Sequence, residues 1–358
     1  MSMGGAGCKH GFLVVNGFLG SAKFDDLYRL LQAAFARRGA ELEIRSSSEF
    51  ATPLGSLESL GSLGSSGSLE SLGSLAPKAP KDPEAPDAPK DPKDPDAPKA
   101  PNFPDFVLFW DKDAALARRF EDAGLKVYNS SAAVAACDDK ILTALALSRA
   151  GLPTPATIVA PLTFEGIGYV HGGMKTGRQN EGVGNDGTLP EFLRKAGERL
   201  GFPMVIKEAY GSFGVQVYLA ETLQEAAKIV STFGHKRFLM QEYIPAFPSS
   251  RRGRDLRVNV VAGKVVATIL RENLRDFRSN VTNGGTAKAI EAPNEVVTLA
   301  VAAAEAVGAD FAGVDVLLRE NGEPLVCEVN SNPSFRSTLD ATGINLADFI
   351  VDLVCSKS

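Results

Sequence analysis

The stretch from 313 to 330 reads GVDVLLRENGEPLVCEVN and holds the residues best suited to gripping a metal ion. Asn321-Gly322 is a preferred pair for a two-residue hairpin turn. With that turn, Glu320 faces Glu323 and Asp315 lies opposite Glu328. Facing Cβ atoms on paired strands sit ~4.5–5.5 Å apart. Asn330 is two residues beyond Glu328, so its side chain emerges on the same face. Two carboxylates this close, set among Val314, Val316, Val326 and Val329, repel each other unless a cation lies between them. Hard, all-oxygen ligands suit Mg²⁺ rather than zinc, with Mn²⁺ as a possible substitute. The competing reading is an ordinary amphipathic hairpin with solvated acids.

A Mg²⁺ ion held by few protein groups completes its shell with phosphates, so phosphate binders should lie upstream. Residues 203–219 read as strand, loop, strand, and the loop GSFG (Gly211, Ser212, Phe213, Gly214) has the backbone freedom to close over a phosphate. A plain hairpin turn explains that loop equally well. Lys207 sits in the apolar strand before it, where a lone lysine is rarely left unpaired. Lys140 opens a helix and could equally be a surface residue. Asp255 and Arg257 share one strand face, Arg271 ends the next strand, and FRSNVTNGG (277–285) supplies Arg278, Ser279 and Asn280. Guanidinium forks suit phosphate and carboxylate oxygens, although each arginine taken singly reads as a surface charge.

In order along the chain, VIKEAYGSFGVQV (205–217), QEYI (241–244), DLRV (255–258), FRSN (277–280), GVDVL (313–317) and CEVNSNP (327–333) resemble the motifs of ATP-grasp ligases. Within that superfamily they are most similar to the RimK-like branch, the α-L-glutamate ligases. The resemblance covers about 106–353 and the start of the chain. It implies an N-terminal Rossmann-like pre-ATP-grasp domain, in α/β style, followed by a two-subdomain α+β ATP-grasp fold. It implies ATP and Mg²⁺ as cofactors, an amino-acid substrate, and a peptide, protein or small-molecule amine acceptor. Lys140, Lys207, Gly211, Ser212 and Gly214 would contact the phosphates. Gln241, Glu242 and Tyr243 would hold adenine, and Asp255 would lie near the nucleotide. Arg271, Arg278, Ser279 and Asn280 would face the phosphates and an acyl phosphate, with Arg278, Arg271 and Asn280 as the catalytic set. Asp315, Glu328 and Asn330 match the metal ligands. The family often has glycine after the proline of its last motif, whereas Ser334 follows Pro333 here, which leaves the identity of the amino acid open.

These residues need elements to position them. Residues 12–15 and 41–45 read as strands around a helix at 23–38, and 106–110, 113–123 and 125–128 continue strand, helix, strand. That pattern is the start of a parallel sheet. Asp138 and Asp139 can cap a helix from Lys140 to Ala150. Between the two halves of this first domain (1–50 and 103–137) lies a tract of different composition, 51–102. SLESLGSL recurs identically at 56–63 and 68–75, and nine prolines fall at every third position from Pro77 to Pro101. Three residues per turn puts those prolines on one edge of an extended rod, about 75 Å long if fully formed. It has too little apolar content to fold alone, and reads as a spacer without chemistry of its own or as a docking arm. The remainder, 138–358, reads as the ATP-grasp domain, with a lid at about 152–240 and a Gly-rich loop at 166–188.

Composition excludes several classes. The 358 residues carry a net charge of −5, so no basic surplus points to nucleic acid. No apolar run has membrane-spanning length and no signal-peptide pattern opens the chain, which predicts a cytoplasmic protein. The four cysteines and three histidines are scattered, without a CxxC pair or a catalytic triad. Assembly of identical copies is left open.

Overall fold

Alternation along the strands decides which faces carry chemistry. The computed structural model describes residues 10–20, 22–52, 103–163, 190–247, 252–279 and 284–357. Residues 53–102 of the expected insert, the 166–188 loop and Asn280 lie outside them.

Among the described residues three sheets form, in a mixed α/β architecture. The first joins β1 (His10–Val15), β2 (Glu41–Ser46), β3 (Phe106–Trp110) and β4 (Lys126–Tyr128) in the order β2-β1-β3-β4, all parallel. Helix α1 (Ala22–Arg37) returns the chain from β1 to β2, and α2 (Ala114–Asp122) from β3 to β4. Helices α3 (Ser131–Asp138) and α4 (Lys140–Arg149) follow. Asp139 caps α4 by accepting from the backbone N–H of Ile141 and Leu142. Asp138, expected to share that task, instead ends α3 and pairs with Lys112 Nζ at 2.7 Å.

The second sheet has the order β5-β8-β6-β7, from β5 (Thr157–Val159), β6 (Met204–Glu208), β7 (Val217–Ala220) and β8 (Phe238–Glu242). Helices α5 (Glu191–Leu200) and α6 (Leu223–Ser231) cover one face, where Met204, Ile206, Phe238 and Met240 are buried. The period of two then turns Val205, Lys207 and Gln241 to the opposite face.

The third sheet, β11-β10-β9-β12-β13, comprises β9 (Gly253–Val261), β10 (Lys264–Asn273), β11 (Thr286–Ala289), β12 (Phe311–Leu318) and β13 (Pro324–Asn330). Helix α7 (Asn294–Ala306) packs on Val258, Val260, Val314, Val316 and Val329. Asp255, Arg257 and Asp315 alternate with these residues and face away from α7. Helices α8 (Arg336–Thr342) and α9 (Leu346–Lys357) close the chain.

The β12–β13 turn is not the expected two-residue one. Arg319 N donates to Glu323 O at 2.9 Å and Leu318 pairs with Pro324, which makes a three-residue loop closed by Gly322 at φ 86°. A positive φ at the last loop position suits glycine, and the outgoing strand is thereby displaced by one residue. Cys327 then bulges: Val316 pairs with Val326 but Asp315 pairs with Glu328. The bulge undoes the displacement, so the acids face each other as expected, for a different reason.

One buried side chain fastens the first sheet to the third. Asn129, directly after β4, donates from Nδ2 to the carbonyl oxygens of Phe311 and Ser331, both at 2.8 Å. Its Oδ1 accepts from Asp310 N at 2.6 Å and Phe311 N at 3.2 Å. Around this staple Leu13, Leu108, Phe311, Phe335, Leu346 and Ile350 share one core. Replacing Asn129 by alanine strands several buried backbone groups, each worth about 1–3 kcal/mol when left unpaired. The Asn129→Ala protein should therefore lose roughly 2–4 kcal/mol, read as a lower urea midpoint at unchanged m-value.

Candidate active site

The face of the second sheet turned away from α5 and α6 and the face of the third turned away from α7, with the carboxyl ends of β1 and β3, enclose a cleft of about 620 Å³. The second sheet contributes Lys207 and Gln241, the third contributes Asp255, Arg257, Arg271, Asp315, Cys327, Glu328 and Asn330. Lys140, Gly211, Ser212, Gly214, Glu242, Tyr243, Arg278 and Ser279 also line it. Every sequence-predicted site residue within the described residues therefore reaches one cavity.

On the third sheet the charges form a row. Arg271 on β10 makes two hydrogen bonds to Asp255 on β9, from Nε to Oδ1 at 2.7 Å and from Nη2 to Oδ2. It also reaches Asp315 Oδ1 at 3.0 Å. Arg257 on β9 grips Asp315 on β12 from Nε to Oδ1 and from Nη2 to Oδ2, the latter at 2.9 Å. Gly313 leaves room for this fork, since a Cβ there would sit 2.9 Å from Arg257 Nη1. Burial alone would raise the Asp315 pKa, but Arg257 and Arg271 outweigh it and hold the carboxyl below the usual range. Burial likewise disfavours the Arg271 charge, and Asp255 and Asp315 more than restore it.

Glu328 continues the row on β13, paired in register with Asp315. Its carboxylate has no hydrogen bond or ion pair among the described residues. Asn330 donates from Nδ2 to Gly313 O at 3.2 Å, which leaves Oδ1 open to the cleft. These oxygens, beside Asp315, could hold a hard cation. Among the described residues no three His, Cys, Asp or Glu side chains form a metal cluster, so such an ion would need oxygens from a bound ligand.

Cations approach from the other wall. Lys207 Nζ lies 3.5 Å from Cys327 Sγ. Lys140 Nζ donates to Gly211 O at 3.1 Å. Burial pulls the Lys140 pKa down, and Lys112 and Lys207 add to this against the pull of Glu328 and Asp138. Two buried ammonium groups beside a Gly-rich loop form a setting that an anionic ligand would stabilise. That loop is pinned at its far end, where Arg278 donates from Nη1 to Gly214 O at 2.6 Å. The rest of its fork meets Asp276, from Nε at 3.0 Å and from Nη2 at 2.6 Å. Gly253 permits this close pass, because a Cβ would stand 2.5 Å from Phe277 O.

At the rim, Gln241 donates from Nε2 to Thr157 Oγ1 at 2.9 Å. Glu242 accepts two bonds from Arg319, at 2.7 and 2.9 Å, so it ties β8 to the β12–β13 turn. Tyr243 meets Phe277 edge-on, centroids 6.5 Å apart. The pairing of Arg257 with Asp315 and of Arg319 with Glu242 was missing from the sequence reading. The one available signal for Arg257 was its shared strand face with Asp255.

Removing the Asp315 charge should cost far more stability than removing that of Glu328. Asp315→Ala leaves two buried guanidiniums under-compensated, a loss of roughly 3–5 kcal/mol, whereas Glu328→Gln should cost less than about 1 kcal/mol. Because the folded-state pKa of Asp315 is depressed, its contribution is fully present above the unfolded value of about 3.9 and fades as pH falls through the folded one. Urea midpoints of wild type and both variants, measured between neutral pH and about pH 3, would check both statements.

Residues 183–354 match the family model described as RimK-like ATP-grasp domain. A protein of Aeromonas salmonicida named "Probable alpha-L-glutamate ligase" is 35% identical over 247 residues, 68% of this chain and 72% of that protein. A protein of the same name from Methanococcoides burtonii is 34% identical over 244 residues, 67% and 71% of the two chains. Among solved structures, a RimK domain ATP-grasp protein from Sphaerobacter thermophilus superposes with a TM-score of 0.59 at 20% identity, covering 96% of this chain and 98% of that one. D-alanine–D-alanine ligase from Bacillus anthracis, solved with ATP, gives 0.60 at 15% identity, covering 98% and 96%. At these identities the structural likeness speaks for the fold. The sequence likeness goes further: this chain belongs to the RimK-like ATP-grasp family and is an ATP-dependent ligase that forms carbon–nitrogen bonds.

Proposed function

We propose that the chain joins L-glutamate, or a similar amino acid, to a peptide, protein or small-molecule acceptor through an acyl phosphate. The observation that carries this reading is the pair of uncommitted oxygen donors, Glu328 and Asn330 Oδ1, on the cleft wall that faces Lys140, Lys207 and the Gly211–Gly214 loop. Hard oxygen donors of this kind fit Mg²⁺. Asp315, Glu328 and Asn330 would hold it, and when bound it neutralises charge on phosphate oxygens.

The chain's own side chains have the following parts. Lys140 and Lys207 meet the phosphate oxygens, and burial of both strengthens that attraction. Gly211, Ser212 and Gly214 lay backbone over the phosphates, in a loop that Arg278 pins through Gly214 O. A carboxylate attacks the γ-phosphate of ATP and ADP leaves; an amine then attacks the acyl phosphate, and inorganic phosphate and a proton are released as the amide forms. Three of the five N–H donors of Arg278 are used within the protein, so two remain for oxygens of the transferring group. Ser279 and Asn280 follow it directly, with Asn280 assigned from sequence alone. Arg271, with Asp255, acts on the reaction through the position of Asp315. Gln241, Glu242 and Tyr243 frame the adenine end. The reaction belongs to positioning and charge neutralisation more than to covalent catalysis.

We assign residues 1–50 and 103–137 to the N-terminal domain and 138–358 to the ATP-grasp domain, and a cytoplasmic setting, where ATP and free amino acids meet. A second reading within the same chemistry, a dipeptide or other amino-acid ligase, is favoured by Pro333-Ser334 and Arg336, which line the cleft where the family often has glycine.

The test is ADP release with Mg²⁺-ATP and each amino acid in turn, followed by mass analysis of the product. L-glutamate should stimulate release, and the product should be an amide. Glu328→Ala should lower kcat at least about a hundredfold with an unchanged circular dichroism spectrum. Near-normal ADP release from that variant would contradict the assignment.

A further inference from the structure

The carboxyl ends of β1 and β3 form the third wall of the cleft. The strand order β2-β1-β3-β4 makes the β1/β3 gap a topological switch point. From β1 the chain winds one way to β2, and from β3 it winds the other way to β4. In open parallel sheets a ligand crevice forms at such a gap, beyond the strand ends. Asn16 follows β1, Asp111 follows β3, and both line the cleft.

Across the gap Asn16 Nδ2 donates to Asp111 Oδ1 at 3.0 Å, and Lys112 N donates to the same oxygen at 2.6 Å. Asp111 is only 4% exposed. Its other oxygen, Oδ2, has no hydrogen bond or ion pair among the described residues. A cation stands next to it in sequence, yet Lys112 Nζ turns away to Asp138 at 2.7 Å. Buried carboxylates are normally paired with a positive group, and among the described residues none pairs with Asp111. Phe24, Tyr28 and Trp110 line the same part of the cleft, and aromatic faces attract ammonium groups. Burial, then Asp111 and Asp25, push the Tyr28 hydroxyl up to about 12, so it stays neutral beside Asp111.

We infer that the crevice between Asn16 and Asp111 is the seat of the α-ammonium group of an amino-acid substrate. Asp111 is its counter-ion, and Asn16 is the positioning residue that fixes the carboxylate. The site being a substrate seat rests on the ligase reading; its preference for a primary ammonium rests on Asp111 alone.

Asp111→Asn keeps an oxygen for Asn16 and for the Lys112 N–H while removing the charge. Calorimetric titrations would use the full chain with each of the twenty L-amino acids, L-glutamate first, with and without Mg²⁺ and a non-hydrolysable ATP analogue. Wild type should bind at least one amino acid. Asp111→Asn should bind it at least about tenfold more weakly, with analogue affinity changed less than about twofold. Glutarate, which is L-glutamate without its amine, should bind wild type and variant equally. Equal amino-acid affinity in the two proteins, or no amino-acid binding to wild type, would overturn the inference. Failure of the ATP analogue to bind wild type would instead overturn the ligase reading, and the effect of Asp111→Asn on the amino acid is read independently of it.

Discussion

Two guanidiniums and two carboxylates lie side by side on one face of the third sheet, and the geometry of the cleft follows from their need to neutralise each other. Arg271 with Asp255, and Arg257 with Asp315, are all buried. Stripping water from one such charge costs several kcal/mol, and the cost is recovered only through close, two-pronged pairing. That requirement fixes the register of β9 against β10 and β12, and it makes Gly313 necessary at the closest approach. Asp315 is thereby kept ionised and still at the inner end of the β12–β13 hairpin. Glu328, one strand further out, has no hydrogen bond or ion pair among the described residues. The adjacent acids thus differ in how tightly they are held: Asp315 is bound into the frame by Arg257 and Arg271 where it borders the proposed cation site, and Glu328 is free to turn to a ligand.

The facing wall follows a similar logic with opposite sign. Strand β6 buries Met204 and Ile206 under α5 and α6, which obliges Lys207 to point into the cleft. Lys140 arrives at the same place from the first turn of α4, oriented by the Asp139 cap and by its own N–H donating to Ala209 O at 2.9 Å. Arg278 and Phe213 both touch elements beyond their own. Arg278 bonds the Gly-rich loop at Gly214 O, and the Phe213 ring lies 6.0 Å from that of Phe24 on α1. The loop therefore rests against the first sheet's helix on one side and the third sheet's connection on the other.

Much of this was legible from the residues because it depends on short-range periodicity. The alternation in GVDVLL and in PLVCEVN identified which side chains share a face, and the Gly-flanked strands around Lys207 identified the loop. The expected register holds at Asp315 and Glu328 although the turn has three residues instead of two. Nothing in the composition of Asn321-Gly322 distinguishes a two- from a three-residue loop, and the compensating bulge at Cys327 is set by tertiary packing. Helix α3 went unread because its Ala-rich run, SAAVAACD, has no polar face to announce a period. The counter-ions escaped for a different reason: Arg257 meets Asp315 across 58 residues and Arg319 meets Glu242 across 77. Partners at such separations leave no local pattern.

The central claim is that the oxygens of Glu328 and Asn330 bind a divalent cation together with nucleotide phosphates. The most direct measurement is the coupling between Mg²⁺ and ADP binding, obtained by calorimetry at several Mg²⁺ concentrations. In the wild type each ligand should tighten the other by the same factor. In a protein carrying both Glu328→Ala and Asn330→Ala that factor should fall to near unity, with ADP still bound in the absence of metal. An undiminished coupling in the double variant would place the cation elsewhere and contradict the account.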